Sequence, residues 1–156
     1  MGAASIKAFK EGLAGELEKL RKELADLAAP LSEEQFWRKP LEPGNSVGHL
    51  VLHLTGNISH FAGARLGGTG YVRDRAKEFT DPAPPTKAEA LARLDEAVAL
   101  YRRVVMSLED EALAAPHPDA DRWPTVAASL VTLVSHFALH RGQTSYISRL
   151  VTRGTA

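Results

Sequence analysis

His136 and His140 stand four residues apart in Ser135-His136-Phe137-Ala138-Leu139-His140-Arg141-Gly142-Gln143, a segment that reads as helix. At about 100° per residue the two lie on one face, one turn above the other, so both imidazoles can reach a single metal ion. Arg141 and Arg149 fall on roughly the opposite side, which turns the histidine face inward. An i, i+4 pair is still half a site, because zinc-type chemistry needs at least a third ligand from elsewhere.

An earlier segment offers that ligand. Ser46, His49, His53, Asn57 and His60 form one stripe of a second predicted helix, with its three histidines within about 40° of one another. A polar stripe is ordinarily a solvated face. This one holds no Lys, Arg, Asp or Glu, although 24% of the chain is charged, so it suits a small polar cavity better. The plain alternative for His136 and His140 is a pair of core histidines with other partners. Burying two imidazoles without partners costs about 1–3 kcal/mol each, and a metal would satisfy both at once.

Composition narrows the chemistry. The chain has no cysteine, which removes disulfide scaffolds, thiolate zinc sites and cysteine nucleophiles together. Histidine is then the one soft metal ligand present in number, with six. Nineteen basic and 19 acidic residues leave no net charge, so nothing suggests nucleic-acid binding. Residues 1–10 carry no apolar signal region, and no run of about 18 apolar residues exists to span a membrane. The expectation is a cytoplasmic protein with a single domain over residues 1–156 and chain enough for a sizeable core.

Four long helices must position the histidines. The first runs from about Ser5 to Ala28, its apolar face Ile6, Phe9, Leu13, Leu17, Leu20, Leu24 and Leu27. Gly12 and Gly15 either permit close packing or weaken its first turn. Pro30 ends it, and Ser32-Glu33-Glu34-Gln35 opens a short helical turn carrying Phe36 and Trp37. The second helix, capped by Asn45 or Ser46, reaches about Leu66 and buries Val47, Val51, Leu54, Ile58 and Phe61. Its small residues Gly56, Ser59 and Gly63 suggest a close helix contact. A long crossover, 71–85, holds the charge-dense Arg73-Asp74-Arg75-Ala76-Lys77-Glu78-Phe79, read as a helical turn.

Thr86 caps the third helix, which runs to about Leu108 and buries Leu91, Leu94, Val98, Tyr101, Val105 and Leu108. After a short turn over 109–115 comes a proline-bracketed loop in which His117 reads as solvated and Trp123 as a plug for the bundle end. Thr125 caps the fourth helix, which ends near Val151. It is apolar around most of its circumference, as expected at a bundle centre or in a dimer interface. Tyr146 points away from the histidine face and reads as packing. With no strand-like alternation, the fold class is all-α: a four-helix bundle with long crossover connections.

Here the chain resembles a known family. His136-x3-His140-Arg141-Gly142-Gln143, with Arg149 following, looks like the closing motif of the DinB-like superfamily of metal-dependent enzymes. Asn45-Ser46-Val47-Gly48-His49-Leu50-Val51-Leu52-His53-Leu54-x-Gly56-Asn57 is similar to its first motif, and Arg73-Asp74-Arg75-x2-Glu78-Phe79 resembles a segment of one branch. The resemblance covers the chain in order of elements. It implies a DinB-like four-helix bundle with a three-histidine divalent-metal site, and the family position for the third ligand matches His53. The expected metal set is therefore His53, His136 and His140.

Three neutral imidazoles leave a divalent ion's charge uncompensated and a coordination position open. Imidazole does not select one metal; zinc or nickel is expected, with iron or manganese open. Two enzymatic readings follow: hydrolysis by metal-activated water, and transfer of a low-molecular-weight thiol held as a thiolate. The first is the leading expectation, acting on a small-molecule substrate. A third reading is a non-catalytic bundle that binds a small molecule or partner. Asn57 and Gln143 lie within a turn of a ligand and can orient water or an imidazole, but cannot take a proton. With no carboxylate on either histidine face, Glu78 and Asp74 are the general-base candidates. Arg73 and Arg75 are candidates for an anionic substrate group. His49 and His60 are candidates for lining the cavity, against the simpler view of them as ordinary polar residues. The nearly all-apolar fourth helix and the family resemblance together suggest a homodimer.

Overall fold

The computed structural model describes residues 3–153, and every regular element among them is helical. The leucine stripe of the first helix is the start of the core. Leu17, Leu20 and Leu24 of α1 (Ala3–Ala28) are buried, whereas Gly12 and Gly15 are exposed with no neighbour a Cβ would meet. Those two glycines serve no close contact. Ser32 caps α2 (Glu33–Trp37) through a full capping box with Gln35. Ser46, not Asn45, caps α3 (Val47–Ile58), and Thr86 with Glu89 boxes the start of α6 (Lys87–Ser107). Thr125 caps α7 (Val126–Thr152).

The second helix is less regular than its pattern suggests. After Ile58 the chain passes through a π-helical stretch, Ser59–Ala64, before one last turn, α4 (Arg65–Gly67), and a left-handed Gly68. A π segment turns more slowly than an α-helix, and such insertions are often found at functional sites. His60 lies inside it, so the 3.6-residue extrapolation from His53 does not apply there.

The helices pack in a ring, α1 against α6, α6 against α3, α3 against α7 and α7 against α1. Side-chain contacts fix their directions. Lys10 near the start of α1 donates to the Leu108 carbonyl beyond the end of α6, so these two run antiparallel. Cβ atoms on Gly63 and Gly67 would press against Leu100 and Val104, so α3 and α6 run parallel. Parallel neighbours cannot be joined by a tight turn. The connection must return the length of the bundle, and residues 68–86 do so along the flank of α3. That return carries the short helix α5 (Lys77–Thr80) past the middle of α3, with consequences for the site. Of the glycines in the expected small-residue stripe, Gly63 meets α6, whereas Gly56 faces the crossover.

Two expectations need correction. His117 is not solvated: it is 2% exposed, its ring 5.0 Å from that of Trp123, and its Nδ1 accepts the Asp119 amide. The local turn His117-Pro118-Asp119 folds the imidazole under the indole, which sequence spacing alone does not reveal. Trp123 does close the bundle end, buried against Phe61. Tyr146 does not pack inward; it is 60% exposed, alongside Val131 and Leu139 on the outer face of α7. The apolar circumference of that helix thus divides into a buried half, with Leu130, Leu133 and Phe137, and a half open to solvent.

Candidate metal centre

The inward faces of α3 and α7 bring His53, His136 and His140 together. One ring nitrogen from each lies within 4.8 Å of the others, the arrangement of a group able to hold a metal ion. The Nε2 atom of His136 is 3.3 Å from Nε2 of His53 and 3.0 Å from Nε2 of His140. Nitrogens about 2.0–2.1 Å from a tetrahedral ion would be separated by about 3.3 Å, so the spacing fits imidazole coordination. His53 is buried and the other two are half-buried, which leaves the cluster open on one side.

The outer nitrogens decide whether lone pairs point at that common centre. Nδ1 of His53 is 2.9 Å from Oε2 of Glu78, and Nδ1 of His140 is 2.7 Å from Oε1 of Gln143. Nη2 of Arg73 is 3.2 Å from the same Nδ1 of His53 but donates to Oε2 of Glu78 at the shorter distance of 2.9 Å. With Glu78 and Gln143 both accepting, each Nδ1 carries the proton and each Nε2 presents a bare lone pair. Acceptors of this kind are the usual means of orienting ligand imidazoles and raising their basicity. His136 differs, its buried Nδ1 having no hydrogen-bond partner. Burial, followed by the charges of His140, His53, Arg73 and Arg122, lowers the His136 pKa to about 4. Burial also lowers that of His140, against the opposing hydrogen bond to Gln143. Both are therefore neutral at pH 7, the state in which imidazole binds metal.

Glu78 reaches His53 because the crossover passes the middle of α3 and Gly56 leaves room. A Cβ at position 56 would lie 2.2 Å from Oε1 of Glu78. The carboxylate is 6% exposed and is held by two donors of Arg73, Nε at 2.6 Å and Nη2 at 2.9 Å. Burial pushes the Glu78 pKa up, but the bonds from His53 and Arg73 and their charges outweigh it and hold the group below the usual carboxylate range. The ring of Phe79 packs against that of His53, centroids 5.3 Å apart and planes tilted by 39°.

The remaining candidates are dispersed. Asn57 is buried one turn beyond His53. His49 is the third residue of α3 and closes its capping box, Nδ1 accepting the Ser46 amide at 3.2 Å, with its ring near Trp37 and Phe79. The pattern Ser-x-x-His, placed as Ser-x-x-Glu would be, is the sequence signal for that role. His60 sits beside Phe61, in the field of Arg73, Arg65 and Asp119, and does not join the three-histidine group. Arg73, a candidate for an anionic substrate group, is committed to Glu78 in a pair whose side chains are 10% and 6% exposed. Arg75 is exposed over Phe79, with Cζ 5.5 Å from the ring. Asp74 is exposed and caps the Lys77 amide.

Comparison with known proteins agrees with this architecture. The sequence model of the DinB superfamily matches residues 16–144, a span that includes all three histidines. A crystal structure of a conserved protein from Enterococcus faecalis superimposes with a TM-score of 0.75, covering 97% of this chain and 98% of its own. At 17% identity that likeness shows the fold alone. No curated protein matches the sequence.

Proposed function

The chain belongs to the DinB superfamily, and from that premise we propose that it is a divalent-metal-dependent hydrolase with His53, His136 and His140 as the metal ligands. The observation that carries this reading is the convergence of Nε2 atoms, two of them deprotonated by the acceptors behind them. Zinc or nickel suits the all-imidazole set, and a bound ion would supply Lewis acidity and lower the pKa of a coordinated water or thiol. The rest falls to the chain's own side chains. Glu78 and Gln143 fix the tautomers of His53 and His140. Arg73 neutralises and locks Glu78, which makes that carboxylate a positioning residue and not the proton acceptor. Asn57, buried beside His53, is assigned to orienting water. The half-buried His136 and His140 leave the approach for a small-molecule substrate.

The test is a screen of the metal-loaded protein against ester, amide and thiol-acceptor panels, with a chelated control. Chelator-sensitive turnover of esters or amides supports the hydrolase. Turnover confined to the thiol panel replaces it with a thiol transferase, and no turnover in any panel favours a binding bundle.

We also propose that a second copy covers the outer face of α7. Val131, Leu139 and Tyr146 are 47%, 58% and 60% exposed there, and Leu41 extends the patch. Sedimentation equilibrium is expected to give twice the chain mass at micromolar concentration; a monomer there rejects the assignment.

A further inference from the structure

Of the arginines around the histidine cluster, three stand against carboxylates. Glu78 holds Arg73, Asp119 holds Arg65, and Glu23 lies 2.9 Å from Arg141. Arg122, like the Arg75 that lies over Phe79, has no carboxylate in ion-pair range among the described residues. Its guanidinium rests instead on an aromatic corner, Cζ lying 4.8 Å from the centroid of Phe61 and 4.7 Å from that of Trp123. The two rings are perpendicular with centroids 4.8 Å apart, and His117 packs behind the indole. Both rings are buried and Arg122 is exposed. A cation is thus anchored on a rigid support while its N–H donors remain available, and stacking of this kind holds the guanidinium without consuming its fork.

That corner borders the metal centre. The Phe61 ring is also 6.0 Å from Cζ of Arg73, whose Nη2 is 3.2 Å from Nδ1 of His53. Three neutral imidazoles do not offset a divalent ion, the Arg73–Glu78 pair cancels internally, and Arg122 adds a further positive charge. Such a site selects against cationic substrates and for anionic ones.

We infer that Arg122 recognises the anionic end of the substrate, which is a small molecule bearing a carboxylate or phosphoryl group within short reach of the group that meets the ion. The planar fork of arginine matches both groups bidentately. This inference rests on the metal reading above, and the test keeps the two apart.

Cobalt(II)-loaded protein would be titrated, by its visible absorption, with three hydroxamates that share a metal-binding head. These are butanohydroxamate, the carboxylate-bearing succinate monohydroxamate, and 3-phosphonopropanohydroxamate. The ion's own charge favours both anionic probes, so the informative quantity is the part of that advantage which Arg122→Ala removes. We expect a loss of roughly tenfold at low ionic strength, the factor corresponding to 1.4 kcal/mol, shrinking as salt is raised. Cobalt content and butanohydroxamate affinity should stay unchanged, and Arg122→Lys should recover part of the loss. A loss confined to one anionic probe supports the inference and names the group. Cobalt uptake with an advantage that survives Arg122→Ala overturns the inference alone. Failure of the unmodified protein to take up cobalt overturns the metal reading and this inference with it.

Discussion

Alanine at position 53, 136 or 140 is expected to reduce bound divalent metal from one ion per chain to trace levels, measured by elemental analysis after purification and dialysis. Structural zinc in finger peptides binds with roughly 10–16 kcal/mol spread over four ligands, so each contributes about 3 kcal/mol, or 10²–10³ in affinity. With only three protein ligands, losing one leaves two, too few for retention through dialysis. Effects on the fold should differ between the variants. His53→Ala removes the donor that Oε2 of Glu78 accepts in a buried setting, and leaving such a group short of a partner costs about 1–3 kcal/mol. His140 is half-buried and its outer partner Gln143 is exposed, so His140→Ala should melt close to the parent protein. Full metal retention by any one variant would remove that residue from the ligand set. Chelation should leave the helical fold standing, because Leu17, Leu24, Leu54, Tyr101 and Phe137 form a buried core that does not depend on the ion.

Periodicity and capping chemistry account for most of what could be read in advance. Helix starts at Ser32, Ser46, Thr86 and Thr125 follow from side chains that satisfy orphan amides, a local interaction visible in local sequence. His136 and His140 share a face because one regular α-helix carries both. The third histidine was harder: spacing could not choose among His49, His53 and His60, since the stripe is common to all three. What separates them lies outside the stripe. His49 is consumed by its own cap, and His60 falls in a π-helical stretch that a 3.6-residue period does not anticipate. Glu78 was visible as a nearby carboxylate but its use was not, because its approach to His53 depends on the parallel packing of α3 and α6, a tertiary fact. His117 and Arg122 owe their positions to a short loop folded around Trp123, where no periodic signal exists.

Glu78 is the residue on which the second large effect is expected. Glu78→Gln keeps the size of the side chain but discards the charge that Arg73 and His53 share. Outer partners of ligand histidines are typically worth 10–100-fold in metal affinity, and a loss in that range is expected by competition with a chromogenic chelator. Stability should fall as well. The Arg73 and Glu78 side chains are 10% and 6% exposed, and removing one member of a buried ion pair costs about 3–5 kcal/mol by leaving the other uncompensated. A fall in affinity could then be blamed on a loosened fold, so a companion variant is needed that moves the carboxylate without discharging it. Gly56→Ala does this. In a helix interior alanine is favoured over glycine by about 1 kcal/mol, so propensity alone predicts a more stable α3. The added Cβ, however, would meet Oε1 of Glu78 at 2.2 Å and force the carboxylate away from its present position. Reduced metal affinity in Gly56→Ala, with the helical melt retained, would tie affinity to the placement of the Glu78 carboxylate behind His53. Unchanged affinity in both variants would reduce the Arg73–Glu78 pair to an anchor for the crossover and leave His53 oriented by packing against Phe79 alone.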